Sequence, residues 1–273
     1  MKNLIKTALL ISVFSSGMAQ STKLSPLKLS SINFSFGFYS DVYQRMDMDA
    51  MRDISTNTAI FNQNLDGYTE SLWRESSGTL IGLDAQFYRL NPLTQEYDRN
   101  KIVRFGISYS EREPAVSYNK TSVDSNGMRQ VQNSIVYCNV QNEVNLNGAY
   151  IWKSGGNQKR ILRFYAGLGG NMGLTFNDEM IVMQNTNTTV MDSTGKFQYY
   201  NQRYDSQDDI IVPARTALFL RAYAPVGVEL NVWKAKLGLE GSAGFGMHQI
   251  MGGRTYFMPF NYSLNFRLGI NFN

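Results

Sequence analysis

From Phe260 to Phe272 every even-numbered residue is apolar: Phe260, Tyr262, Leu264, Phe266, Leu268, Ile270 and Phe272. The odd positions between them are Asn261, Ser263, Asn265, Arg267, Gly269 and Asn271. Successive side chains of a strand point to opposite faces, so this stretch is a strand with one apolar and one polar face. It exceeds the 9–11 tilted residues, roughly, that a strand needs to cross a bilayer. Seven further segments alternate in the same way, at about 32–39, 79–89, 102–110, 136–152, 161–176, 216–232 and 237–247. The fifth is the clearest, with Leu162, Phe164, Ala166, Leu168, Met172, Leu174 and Phe176 set against Arg163, Tyr165, Gly167, Gly169, Asn171 and Gly173.

The connections alternate too. Short ones fall at 91–101, 153–160 and 234–236, and long ones at 41–78, 111–135, 177–215 and 248–259. Short inner turns and long outer loops are the pattern of outer-membrane barrels. The expected fold is all-β, a transmembrane antiparallel up-and-down β-barrel of eight strands. Ten strands are the alternative, if Met180–Met183 and Phe197–Tyr200 form a further hairpin. After the first twenty positions there is no apolar run long enough for a transmembrane helix. The mean hydropathy of −0.29 fits a barrel that shows lipid only every second residue.

A soluble sandwich would alternate as well, so the less apolar face must decide. It holds Gly37, Gly82, Gly106, Gly167, Gly169, Gly173, Gly227, Gly238, Gly244, Gly246 and Gly269, which suits a narrow lumen better than a solvated sheet. The same face carries Asp84, Arg104, Glu143, Arg163, Glu229, Glu240 and Arg267, all read as lying towards the short-turn ends, with Arg221 in mid-strand. Charges in a confined interior must pair. The reading is a salt-bridge network that plugs the barrel; the alternative is a polar pathway for small solutes. Trp152, Trp233 and Tyr88 sit beside short turns and read as an interfacial aromatic girdle.

The N-terminus reads as a signal peptide over residues 1–19, followed by the barrel domain at 20–273. Lys2 and Lys6 precede the apolar core Leu9, Leu10, Ile11, Val13 and Phe14, and Gly17-Met18-Ala19 supplies a cleavage site before Gln20. No cysteine follows that core, so no lipoprotein anchor is expected. The net charge of +4 is too small to argue for nucleic acid. The single Cys138 can form no disulfide within the chain and, by its parity, faces lipid.

Two stretches carry a resemblance. The segment 262–273 resembles the terminal assembly signal of outer-membrane barrels, with Phe266, Gly269 and Phe272 as its key positions, although Asn273 follows the final aromatic. The segment Ala224-Pro-Val-Gly-Val-Glu-Leu230 resembles the Pro-x-Gly segment of the PorT-like outer-membrane β-barrel family of Bacteroidota. The resemblance implies a barrel of the small OmpA/OmpX type in the outer membrane, with both termini periplasmic, assembled by the barrel-assembly machinery and surrounded by lipid and lipopolysaccharide. It does not fix an activity, since PorT-like proteins include secretion-system components and members of no known function. No appended peptidoglycan-binding domain is expected, because the sequence ends with the last strand.

The sequence offers little for catalysis. His248 is the only histidine. It is read as solvated at the outer rim, and His248-Gln249-Ile250 lacks the serine of the His-x-Ser pattern found in lipid-deacylating barrels. No metal-ligand cluster has usable spacing, and no cofactor is expected. Residues 41–70 and 177–212 each carry a net charge of −4, while Lys153, Lys159, Arg160, Lys234 and Lys236 lie at short turns. The acidic loops read as solubility features, or as carboxylates bridged by divalent cations to lipopolysaccharide phosphates. Tyr199, Tyr200 and Tyr204 are candidate partner contacts, and Asp192-Ser193-Thr194 resembles an O-glycosylation acceptor of Bacteroidota. The expected function is a structural or interaction barrel, a subunit of an envelope or secretion complex. The alternatives are a narrow channel and, less favoured, a rim enzyme acting on lipid.

Overall fold

The computed structural model describes residues 25–72, 75–155, 161–191, 196–204 and 209–272. The signal peptide at 1–19, Lys159, Arg160, the Asp192-Ser193-Thr194 acceptor and the side chains of Tyr199, Tyr200 and Tyr204 lie outside them. In chain order the elements are β1 (Leu27–Val42), α1 (Met48–Ile54), a 3-10 turn (Thr58–Phe61), β2 (Thr69–Leu72), β3 (Glu75–Leu90), β4 (Tyr97–Arg112) and β5 (Ala115–Val123). They continue with β6 (Arg129–Lys153), β7 (Leu162–Met191), β8 (Phe197–Tyr204), β9 (Ile210–Pro213), β10 (Ala217–Val232), β11 (Ala235–Ile250) and β12 (Thr255–Asn271).

Eight of these close a ring. The antiparallel pairings run β1–β3–β4–β6–β7–β10–β11–β12 and return from β12 to β1, where Phe36 meets Phe266 and Val42 meets Phe260. The fold is an eight-stranded antiparallel up-and-down barrel. A hairpin does form within 177–215, but from other residues than Met180–Met183: β7 pairs with β8 from Asn185↔Tyr204 to Met191↔Phe197, while Met180 and Val182 face Val212 and Ile210 of β9. It adds no stave to the ring. With β2, β5 and the upper halves of β6 and β7, it builds a sheet beyond one end of the barrel.

The alternation predicts the outward face correctly. Phe38 is 64% exposed and Leu168 62%, and Ile32, Phe34, Phe36, Leu83, Phe105, Leu146, Phe164, Phe245 and Phe266 are exposed with them. The inward face of the same strands is polar and buried. A water-soluble protein does not carry an apolar surface of this extent. The distribution is inside out, as a hydrocarbon solvent requires, and the fold is that of a transmembrane barrel.

Close packing explains the lumen glycines. A Cβ on Gly244 would stand 2.0 Å from the Ala222 carbonyl oxygen, and one on Gly227 would stand 2.5 Å from the Tyr165 ring. Pro225 and Gly227 of the Pro-x-Gly segment therefore lie in β10 where the Tyr165 side chain crosses the backbone.

One loop expectation fails. Residues 248–259 are not a long loop, because β11 runs to Ile250 and β12 resumes at Thr255. The register shifts between Gly244 and Gly246, where Pro259 and Phe260 together face Phe245. A bulge of this kind accommodates a proline, which cannot donate to the ladder. Only 251–254 turn.

Candidate functional site

The lumen is filled by charge in three tiers. At the short-turn end Glu229 accepts from Lys153 Nζ at 2.8 Å and pairs with Lys236 Nζ at 3.1 Å. Lys236 also donates to Gln86 Oε1 at 2.8 Å. Next, Glu240 takes Arg104 at 2.5 Å, Arg267 at 3.4 Å and the Tyr165 hydroxyl at 2.8 Å. Arg267 also pairs with Asp84, which accepts from Asn33 Nδ2 at 3.0 Å. In the outermost tier Glu143 receives Arg221 at 2.7 and 3.1 Å and also Arg112. Asp41 bridges the same two guanidinium groups, 3.3 Å from Arg221. A polar chamber of about 110 Å³ lies between the two upper tiers, lined by Ser108, Asn145, Asn147, Ser242 and Asn265 among others.

All eight lumen charges named from the sequence are buried: Asp84, Arg104, Glu143, Arg163, Arg221, Glu229, Glu240 and Arg267. Their placement needs two corrections, the first being that Arg221 stands in the outermost tier and not in mid-strand. Glu143 is not near the short turns; it stands in the outermost tier, because β6 extends far beyond the barrel and Glu143 lies near the top of its ring segment. Arg163 faces Glu229 in the β7–β10 register, at the short-turn end as expected. The alternation also missed four partners. By sequence Asp41 and Arg112 fall in long connections and Lys153 and Lys236 at short turns, yet their side chains are at most 5% exposed and point into the lumen. Lysine and arginine stems are long enough to carry a charge inward from a strand end. The available signal was parity, since Arg112 continues the inward face of β4 and Lys236 that of β11.

Above the outer tier the barrel is capped by an apolar core. Tyr43, Met46, Met51, Ile54, Ile60 and Phe61 pack on Val116, Tyr118, Ile135, Tyr137, Met180 and Val182 of the upper sheet and on Phe219, Ile250 and Met258 of the ring. The Asp47 side chain caps α1 by accepting from Ala50 N at 3.1 Å. Burial acts upward on its carboxyl, but that hydrogen bond and Arg45 outweigh it and hold the group below the usual range. Met48, Met51 and Ile54, three residues apart behind an Asp, are a helix signal that the loop reading passed over. Phe219 joins cap to lumen: its ring lies 4.6 Å from the Arg112 guanidinium, 4.4 Å from that of Arg221 and 4.2 Å from the His248 ring.

His248 is therefore not a solvated rim residue. It is fully buried at the mouth, between Phe219 and Tyr43, because the segment before β2 folds over it. Cys138 does not face lipid either. It lies above the apolar belt, opposite Ala115 of β5, and burial pushes its thiol up to about 12, so it is inert as a nucleophile. Of the predicted girdle, Trp152 and Trp233 are exposed at short-turn ends. Tyr88 has the opposite parity and packs against the buried Ile102, Ala149, Ile151 and Tyr165. Phe266 and Phe272 point outward, while Gly269 is an inward residue against Asn33.

The acidic stretches are partly internal. Asp41 is in the lumen, Asp53 accepts from the Tyr256 hydroxyl at 2.8 Å, and Asp178 is buried beside Thr175. Among the described residues no group of three or more His, Cys, Asp or Glu is arranged to hold a metal. Asp178 lies beyond Phe176, the last exposed residue of the β7 belt, and burial raises its carboxyl from 3.8 to about 6. A native carboxyl that holds its proton more tightly than the unfolded one loses stability as pH rises between those values. Stability should fall from pH 4 to 6 and then level. Asp178→Asn should flatten that slope, which denaturant titrations across pH would measure.

No family model matches this sequence, and no curated protein matches it. Solved structures similar to it include three barrel proteins. Neisserial surface protein A (NspA) shares 9% identity over 89% of this chain and 97% of that one, with a TM-score of 0.35. Ail, the attachment invasion locus protein of Yersinia pestis, solved in complex with the heparin analogue sucrose octasulfate, shares 8% over 89% and 99%, with a TM-score of 0.26. The translocator domain of the autotransporter NalP from Neisseria meningitidis shares 9% over 99% and 96%, with a TM-score of 0.22. The fold assignment rests on the chain's own closed ring of pairings and its inverted surface: it is an eight-stranded transmembrane barrel with a charge-filled lumen and an apolar cap.

Proposed function

We propose that the protein is an integral outer-membrane barrel with a structural and interaction role, in which a closed barrel anchors the sheet that rises above it. The observation that carries this reading is the double closure of the lumen, by three charge tiers and then by the cap. A closed lumen leaves the outer sheet as the surface free to act. Apolar side chains cover the barrel wall, so lipid and lipopolysaccharide are its surroundings, and the short turns with both chain ends face the periplasm. Assembly by the barrel-assembly machinery through Phe266, Gly269 and Phe272, kinship with the PorT-like family, removal of residues 1–19 and membership of an envelope complex belong to the same proposal. So does the absence of enzymatic activity.

Photo-crosslinkers at the exposed Val123 and Met128, near the turn between β5 and β6, test the interaction role. A discrete adduct is expected in intact cells, lost when 120–134 is replaced by a short turn. An undiminished adduct, or none from either position, would sink the reading. The channel alternative has its own test. Planar-bilayer recording should show no conductance above background, and resolved single-channel steps from the native protein would contradict the closed lumen.

A further inference from the structure

We infer that residues 43–61 form an openable lid over a hydrated vestibule at the outer mouth of the barrel. Within the cap and at the barrel mouth below it stand buried polar side chains that the protein leaves unmet. The Tyr43 hydroxyl, both amide atoms of Asn139 and of Gln141, Asp178 Oδ1 and both ring nitrogens of His248 are buried and have no hydrogen-bond partner in the chain. Buried polar groups are almost always satisfied, and an isolated orphan is costly. Here eight such atoms come from β6, β7, β11 and the lid itself, and only solvent can meet them.

The lid is built to move. Its helix α1 has seven residues, too short to hold its shape without contacts. Three of the lid's eight residues in the cap core are methionines, Met46, Met48 and Met51, whose side chains adapt to changed surroundings. Backbone hydrogen bonds to the barrel gather at two places. Gln44 N donates to the Phe257 carbonyl at 3.0 Å; further along, Arg215 N donates to that of Ile54 at 2.7 Å and Thr56 N to that of Pro213 at 3.3 Å. Between these anchors the lid is held by side chains alone, by packing and by the Asp53 carboxylate, which accepts from the Tyr256 hydroxyl and pairs with Arg254. Its opening would join the vestibule to bulk solvent and admit small reagents to His248 while the charge tiers below stay in place.

His248 is the only histidine in the sequence, so its acylation by diethyl pyrocarbonate, located by peptide mass, reports the vestibule alone. The test uses the folded protein in lipid vesicles with Cys138→Ala. Ser55 and Ala214 face each other in an isolated antiparallel bridge, a spacing suited to a disulfide. In the Ser55→Cys/Ala214→Cys protein, oxidation should slow acylation of His248 at least tenfold and reduction should restore it. Met51→Ser should speed it at least tenfold while the barrel keeps its compact mobility on unheated gels. Equal rates in the oxidised and reduced staple would overturn the lid. An unchanged rate in a folded Met51→Ser protein would do the same. If Met51→Ser fails to fold, the staple decides alone.

Discussion

Glu143→Gln should destabilise the folded barrel by about 3–5 kcal/mol, the usual cost of removing one member from a buried charge pair. Glu143 is fully buried and receives both Arg112 and Arg221. Without it, two guanidinium groups share Asp41 alone, each within 4.6 Å of the Phe219 ring. The damage should be repaired in part by Glu143→Gln with Arg112→Met, which removes the excess positive charge. Reversible urea unfolding in vesicles measures both. For comparison, Arg254→Gln breaks the exposed pair with Asp53, where about 0–1 kcal/mol is expected. A loss below 1 kcal/mol for Glu143→Gln would mean that the outer tier is open to water.

Phe36→Arg has the second large effect, because Phe36 lies in the middle of the belt, its ring 5.4 Å from that of Phe266 across the β1–β12 seam. An arginine at the bilayer midplane of a barrel costs about 2–4 kcal/mol, against about 0–1 near the interface. Trp233→Arg, at the exposed β10–β11 turn, should therefore be nearly silent in the same unfolding assay. Equal effects at the two sites would remove the depth dependence that a surrounding bilayer imposes.

The barrel was legible because alternation is a local signal. Each strand in the bilayer must be apolar on one side only, and thirteen residues at 260–272 state that without reference to any other segment. The lumen was legible wherever a charge stood between apolar neighbours, as Arg163 stands between Leu162 and Phe164. It faded at the strand ends. Asp41 and Arg112 occur where the outward neighbours are no longer consistently apolar, so only parity carried on from the strand marks them as inward, and Lys153 and Lys236 sit beside turns that suggest solvent. The cap was least legible. Tyr43, Met51 and Phe61 meet Tyr137, Phe219 and Met258 only after the ring has closed, and no short-range pattern records such contacts. For the same reason His248 read as a rim residue: nothing near it in sequence shows that residues 43–61 cover it.

Lipid covers the even-numbered face of β12, and the odd-numbered face lines a closed lumen. Nitroxide labels placed singly at 262–268 in the Cys138→Ala protein, reconstituted in vesicles, test it most directly. Labels at 262, 264, 266 and 268 should be open to dissolved oxygen and closed to a water-soluble nickel complex, while those at 263 and 265 should be shielded from both. Accessibility without a two-residue period, or nickel contact at 264 and 266, would contradict it.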